Sequence, residues 1–160
     1  ANTGIIIDIF PTHKGTHYFG DITRTYVVGQ PSETWVRMYE AVKTAHQSAL
    51  SMLKDGVSSR EVHHAVCKAL YDAGFSATSE GFQRDGVPTM NHGTGHGVGL
   101  MVHEPPRVNN FDNELKEGDV VTIEPGLYSE TEGSVRLENT VVITADGYRE
   151  LTHIDTDWRP

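Results

Sequence analysis

The sequence is short of cysteine and of positive charge, and it has no long apolar run. One cysteine, Cys67, in 160 residues excludes a disulfide framework. It lies on the apolar face of a predicted helix, so it reads as a small core residue. Thirteen Lys and Arg face 22 Asp and Glu, giving a net charge of −9 with the nine histidines neutral. That balance argues against nucleic acid or an anionic membrane as the main partner, since both call for a basic surface. No apolar stretch approaches the ~20 residues that span a bilayer. No secretory leader is visible either, so a cytoplasmic protein is expected. There is no P-loop, no H-E-x-x-H and no G-x-G-x-x-G. With 37% hydrophobic residues, the chain is long enough for one domain with a real core.

What is present is concentrated in residues 92–103, His-Gly-Thr-Gly-His-Gly-Val-Gly-Leu-Met-Val-His, with three histidines and four glycines in twelve positions. Four glycines at alternating positions disfavour a helix. In an extended strand, His92, Thr94 and His96 would point to one side, with glycines allowing close backbone approach. The plainer alternative is a glycine turn with incidental histidines. Upstream, Ile5 to Phe10 is a β-branched apolar run that reads as a buried strand, with Asp8 as an anomaly inside it. A short turn region leads to a second strand, 21–28, and the pair suggests an antiparallel hairpin that brings Asp8 and Asp21 together. Asp21 could instead pair with Arg24. A helix starts at Ser32 and is predicted to run as far as Lys54. A second is capped by Ser58 or Ser59 and stops at Gly74. His46, His63 and His64 fall on these helices and read as surface or core-edge residues. Residues 76–91 read as loop, Glu104-Pro105-Pro106 as a turn and 107–118 as polar connection. Val120 to Glu124 is a strand ending in a carboxylate. Residues 135–144 read as one strand with Glu138 inside it.

Asp8, Asp21, Glu124 and Glu138 thus sit in or at the ends of apolar strands, and His96 sits in the glycine-opened one. Four carboxylates brought together without a cation would repel and take up protons. Two divalent ions sharing carboxylates use such a set well, and an oxygen-rich site with one nitrogen favours Mn, Co or Fe over thiolate zinc.

These residues also carry a resemblance. Ile-Asp-Ile-Phe with Gly-Asp-Ile-Thr-Arg-Thr, His-Gly-Thr-Gly-His-Gly-Val-Gly-Leu with His-Glu-Pro-Pro, Thr-Ile-Glu-Pro-Gly-Leu-Tyr and Val-Arg-Leu-Glu-Asn-Thr-Val resemble the M24 metallopeptidases. The form is closer to the Xaa-Pro branch (prolidase and aminopeptidase P) than to methionine aminopeptidase. The resemblance implies an α/β (α+β) pita-bread fold, with a curved antiparallel sheet and outer helices. It implies two divalent ions, Mn first, with Co, Zn or Fe as alternatives. Asp8 would hold one ion, Asp21 and Glu138 would bridge both, and His96 and Glu124 would complete the other shell. Glu124 would also shuttle the proton. His103 and His92 would contact substrate, and Arg136 would support the site. The substrate would be a dipeptide or peptide with proline in second position, and the full-length protein a homodimer. Residues 1–160 would form a C-terminal catalytic domain lacking its N-terminal side. The loop between Asp8 and Asp21 is longer than the family's usual form. Asn139 stands where acidic residues are common. A silent protein-binding module on the same fold would be expected to have lost ligands, and all five are present. A dinuclear phosphoesterase would need basic residues at the metals, and only Arg24 and Arg136 are available.

Overall fold

The computed structural model describes residues 2–159. It orders two helices and eleven strands as β1 (Gly4–Ile9), β2 (Ile22–Val27), α1 (Glu33–Leu50), α2 (Ser59–Asp72), β3 (Ser76–Ala77), β4 (Thr89–Met90), β5 (Gly95–Gly97), β6 (Glu104–Val108), β7 (Val120–Ile123), β8 (Gly126–Ser129), β9 (Gly133–Arg136), β10 (Asn139–Ile143) and β11 (Tyr148–Glu150). They form a hairpin, β1-β2, a five-stranded sheet, β11-β10-β7-β5-β6, and a four-stranded sheet, β3-β4-β8-β9. All pairings are antiparallel except β3 with β4. The α/β architecture is therefore as expected.

Both helices begin where the capping residues indicate. Ser32 accepts from the Trp35 N–H at 3.0 Å, and Ser58 caps α2 by accepting from Glu61. Helix α1 ends at Leu50, one turn earlier than its apolar spacing suggested. Past α2, Gly74 takes φ +92°, a left-handed conformation that stops the helix without a Cβ penalty. The apolar stripes of both helices, led by Trp35, Met38, Tyr39, Val42, Val66 and Leu70, share one core with Ile123, Leu127, Val135, Val141 and Ile143 of the sheets; α1 packs on β7, β8 and β9, and α2 on α1, β3 and β6. The C-terminal residues strap the hairpin down. Trp158 packs edge-on against Trp35 and Tyr39, its carbonyl accepts from Val27 N–H, and the buried Arg24 donates to the carbonyls of Ile154 and Asp155.

Several local expectations are overturned. β1 is not buried on both faces: Ile5, Ile7 and Ile9 stand 47–52% exposed on its outer side, because the hairpin is covered on one face only. Glu104-Pro105-Pro106 is not a turn but the start of β6. That strand lies at a sheet edge, where missing N–H donors are tolerated. Residues 135–144 are two strands, β9 and β10, in different sheets, and Leu137 and Glu138 make the crossover between them. That crossover is tied to the hairpin by Glu138 N–H donating to Thr23 carbonyl at 3.0 Å. His46 and His63 are each 4% exposed, interior residues and not surface ones.

Candidate metal centre

The hairpin, β5, the end of β7 and the β9–β10 crossover converge on a cavity of about 90 Å³. It is lined by Asp8, Asp21, His96, Glu124 and Glu138, with Phe10, Val102 and His103. Asp8 and Thr23 are register partners, so the hairpin pairing sets the first carboxylate against the strand that follows Asp21. Donor atoms of Asp21, His96 and Glu138 all lie within 4.8 Å of one another. His96 Nε2 is 3.3 Å from Glu124 Oε1 and 3.8 Å from Asp21 Oδ2. His96 Nδ1 lies 3.0 Å from the Gly97 carbonyl, which can only accept. Nδ1 therefore carries the proton, and the Nε2 lone pair faces the carboxylates.

Electrostatics point the same way. Burial, and after it the Asp8 carboxylate, pushes Asp21 up to about 6. Burial pushes Glu124 up to about 7, against the pull of Arg136. Burial, with Glu124 next, pushes Glu138 up to about 8. Three carboxyls raised toward or past neutrality, beside an imidazole that burial keeps neutral, are a site short of positive charge. The donor set, four carboxylates and one nitrogen in one small cavity, fits divalent cations.

The remaining residues expected at the site flank this cavity. His103 is exposed at the rim, its ring 4.3 Å from that of His96. A wider pocket of about 360 Å³ shares His96, His103 and Glu124 with the cavity and adds His92, Arg107, Asn109 and Arg136. His92 Nδ1 bonds its neighbour's carbonyl, leaving Nε2 to accept from the Tyr128 hydroxyl at 2.8 Å. Arg136 donates to Tyr128 at 3.3 Å and to Thr23 at 3.3 Å, and makes an ion pair with Asp8. Thr23 in turn donates to Glu138 at 2.6 Å. All eight residues named from the sequence are thus brought to one place. Thr94 is not: its side chain turns away, toward α2. A larger groove of about 570 Å³ beside Arg37 and Glu130 touches none of the eight.

Sequence reasoning missed Tyr128, Thr23 and Arg107. Thr23 was findable, since it lies two residues after Asp21 and so on the same strand face. Arg107 is the register partner of His96, which puts both side chains on one face, but the pairing is invisible until β6 is known to be a strand.

A small cavity walled by carboxylates and a histidine, beside a pocket with two arginines, is a candidate centre for divalent metal ions. The profile of metallopeptidase family M24 matches residues 1–145, and the chain belongs to that family. It is 39% identical over 154 residues to a Xaa-Pro dipeptidase of Pyrococcus horikoshii, covering 96% of this chain and 40% of that protein. The crystal structure of the prolidase from Pyrococcus horikoshii OT3 superposes with a TM-score of 0.85 at 38% identity, over 97% of this chain and 41% of that one. An X-Pro aminopeptidase from Thermotoga maritima gives 0.82 at 30% identity, over 96% and 40%. The fold is therefore that of the prolidase structures, and the chain spans about 40% of the length of these relatives.

Proposed function

We propose that residues 1–160 form the C-terminal, metal-holding part of the catalytic domain of a dinuclear metallo-exopeptidase that hydrolyses the bond before a proline in second position. The observation that carries this reading is the convergence of Asp8, Asp21, His96, Glu124 and Glu138 on one cavity. Asp8 would hold one ion, Asp21 and Glu138 both, and His96 and Glu124 the other, with manganese the expected metal. Bound there, divalent cations supply Lewis acidity that acidifies a water and polarises the scissile carbonyl. Glu124 takes the proton of the attacking water and returns it to the departing proline nitrogen. His103, at the rim beside His96, donates to the oxygen that gains charge. His92, fixed by Tyr128, faces the substrate side of the pocket. Arg107 offers its guanidinium to a substrate carboxylate. Arg136 holds Asp8 and, through Thr23, Glu138.

The test uses the full-length protein, stripped of metal and resupplied with Mn, Co or Zn. It is offered an Xaa-Pro dipeptide, an Xaa-Pro-Xaa tripeptide and a Met-Xaa peptide. Metal-dependent cleavage before proline is expected, falling on the order of 10²–10³-fold or more in Glu138→Ala. Cleavage of the dipeptide alone assigns a prolidase, and cleavage of the tripeptide an aminopeptidase P. Undiminished cleavage by stripped Glu138→Ala, or cleavage of Met-Xaa alone, overturns the reading.

A further inference from the structure

Between β5 and helix α2 lies a buried polar cluster that the proposed reaction does not use. His63 bonds through both ring nitrogens, Nδ1 to Thr94 Oγ1 at 2.8 Å and Nε2 to Ser79 Oγ at 2.8 Å. Ser79 Oγ also accepts from the Asn110 side-chain amide at 3.1 Å and lies 3.4 Å from the Cys67 sulfur. Bonds at both ring nitrogens fix the orientation of the imidazole, whichever nitrogen carries the proton. Burial lowers the His63 pKa to about 4, which keeps the ring neutral.

Thr94 is where this bond meets the metal donors. It is fully buried. Its N–H donates to the Val108 carbonyl at 2.7 Å, and its carbonyl accepts from the Glu124 N–H at 2.7 Å. Two residues on is His96, whose own N–H donates to Thr122 Oγ1 at 3.2 Å. The Thr94 side chain has one hydrogen-bond partner among the described residues, His63. We infer that His63 is a positioning residue for the metal centre: through its hydrogen bond with Thr94, helix α2 fixes the segment that sets His96 and Glu124 against Asp21 and Glu138. This inference rests on the metallopeptidase reading above.

The test compares full-length Thr94→Val, His63→Leu, His63→Asn and His63→Gln with the parent. An asparagine side-chain amide reaches the Nδ1 position and can still hydrogen-bond Thr94, as donor or acceptor. A glutamine reaches the Nε2 position and serves only Ser79. The readouts are Co(II) affinity, the visible absorption bands of bound Co(II), and Tm. Thr94→Val, His63→Leu and His63→Gln are expected to weaken Co(II) binding about tenfold, the low end of outer-shell effects, and to shift the bands. His63→Asn is expected to keep both near the parent. A merely structural role would lower Tm in the His63 variants and leave the bands and affinity of the folded protein unchanged, which overturns the inference. Should His63→Leu fail to fold, equal effects of Asn and Gln overturn it alone. Unaltered Co(II) binding in Thr94→Val, with a parent that binds Co(II), defeats this inference and leaves the peptidase reading standing. A parent that takes up no Co(II) defeats both.

Discussion

Glu138 is 2% exposed and bonded to Thr23, yet its carboxyl is pushed up to about 8, so without a cation it is held in place at an energetic penalty. The consequence for stability has a definite sign. With Asp21 near 6, Glu124 near 7 and Glu138 near 8, the metal-free folded chain binds more protons than the unfolded chain, whose carboxyls titrate at 3.8 to 4.5. Stability from these groups is therefore present at low pH and lost as pH rises through the folded values. His46 and His63, both lowered to about 4, act oppositely, losing stability as pH falls below the unfolded value of 6.5. Between pH 6.5 and 8 the histidine contribution is down to its upper tail, while Glu124 and Glu138 titrate inside the window and set the sign. The metal-free protein should unfold at lower denaturant concentration at pH 8 than at pH 6.5, and added Mn should abolish the difference. A pH-independent midpoint in EDTA would contradict this. Glu138→Gln should raise metal-free stability at pH 8 by on the order of 1 kcal/mol while weakening metal affinity, read by denaturation and calorimetry on the same preparation.

Among the elements, β5 shows most plainly how backbone sets the chemistry. A Cβ at Gly95 would collide with the Thr122 carbonyl, and one at Gly97 with the backbone of Pro105. Strand β5 can lie between β6 and β7 only without side chains at these positions, and that placement puts His96 beside Glu124. Gly95→Ala should cost about 1–3 kcal/mol of stability, from overpacking, and should lower metal affinity because His96 moves with the strand. Parental Co(II) affinity in this variant would disprove the coupling. The two helices and their caps were legible, since apolar spacing and Ser32, Ser58 and Gly74 agree. The carboxylates were legible because charge inside an apolar strand needs a reason. The β9–β10 break was not, because Leu137 and Glu138 continue the alternation across a change of sheet. Nor was the inward role of His63, since a lone histidine on a helix face has no sequence signal that separates core from surface. The direction of Thr94 was misread because β5 is only three residues long, and strand alternation from 92 to 96 does not hold outside it.

Over the whole molecule, no helix of the described residues is long and apolar enough to cross a membrane, yet one sheet face is unusually apolar. Ile5, Ile7 and Ile9 of the hairpin stand exposed, and Ile154 of the C-terminal segment, itself exposed, lies beside Ile7 and Ile9. Exposed stripes of this kind drive association. The 160-residue chain alone should therefore show larger species in sedimentation velocity as concentration rises. Ile7→Lys, on the face away from Asp8, should suppress them while leaving the far-UV circular dichroism unchanged. A monomer at all concentrations would refute this. The contacts that build the metal centre span nearly the whole chain: Arg136 and Asp8 are 128 positions apart, and Thr23 and Glu138 are 115 apart. Loops of that length close late in folding. A chain still missing its last third has no Glu124 and no Glu138, and so cannot trap a cation prematurely. The donor set is therefore a product of tertiary folding: no short stretch of the sequence holds more than a part of it.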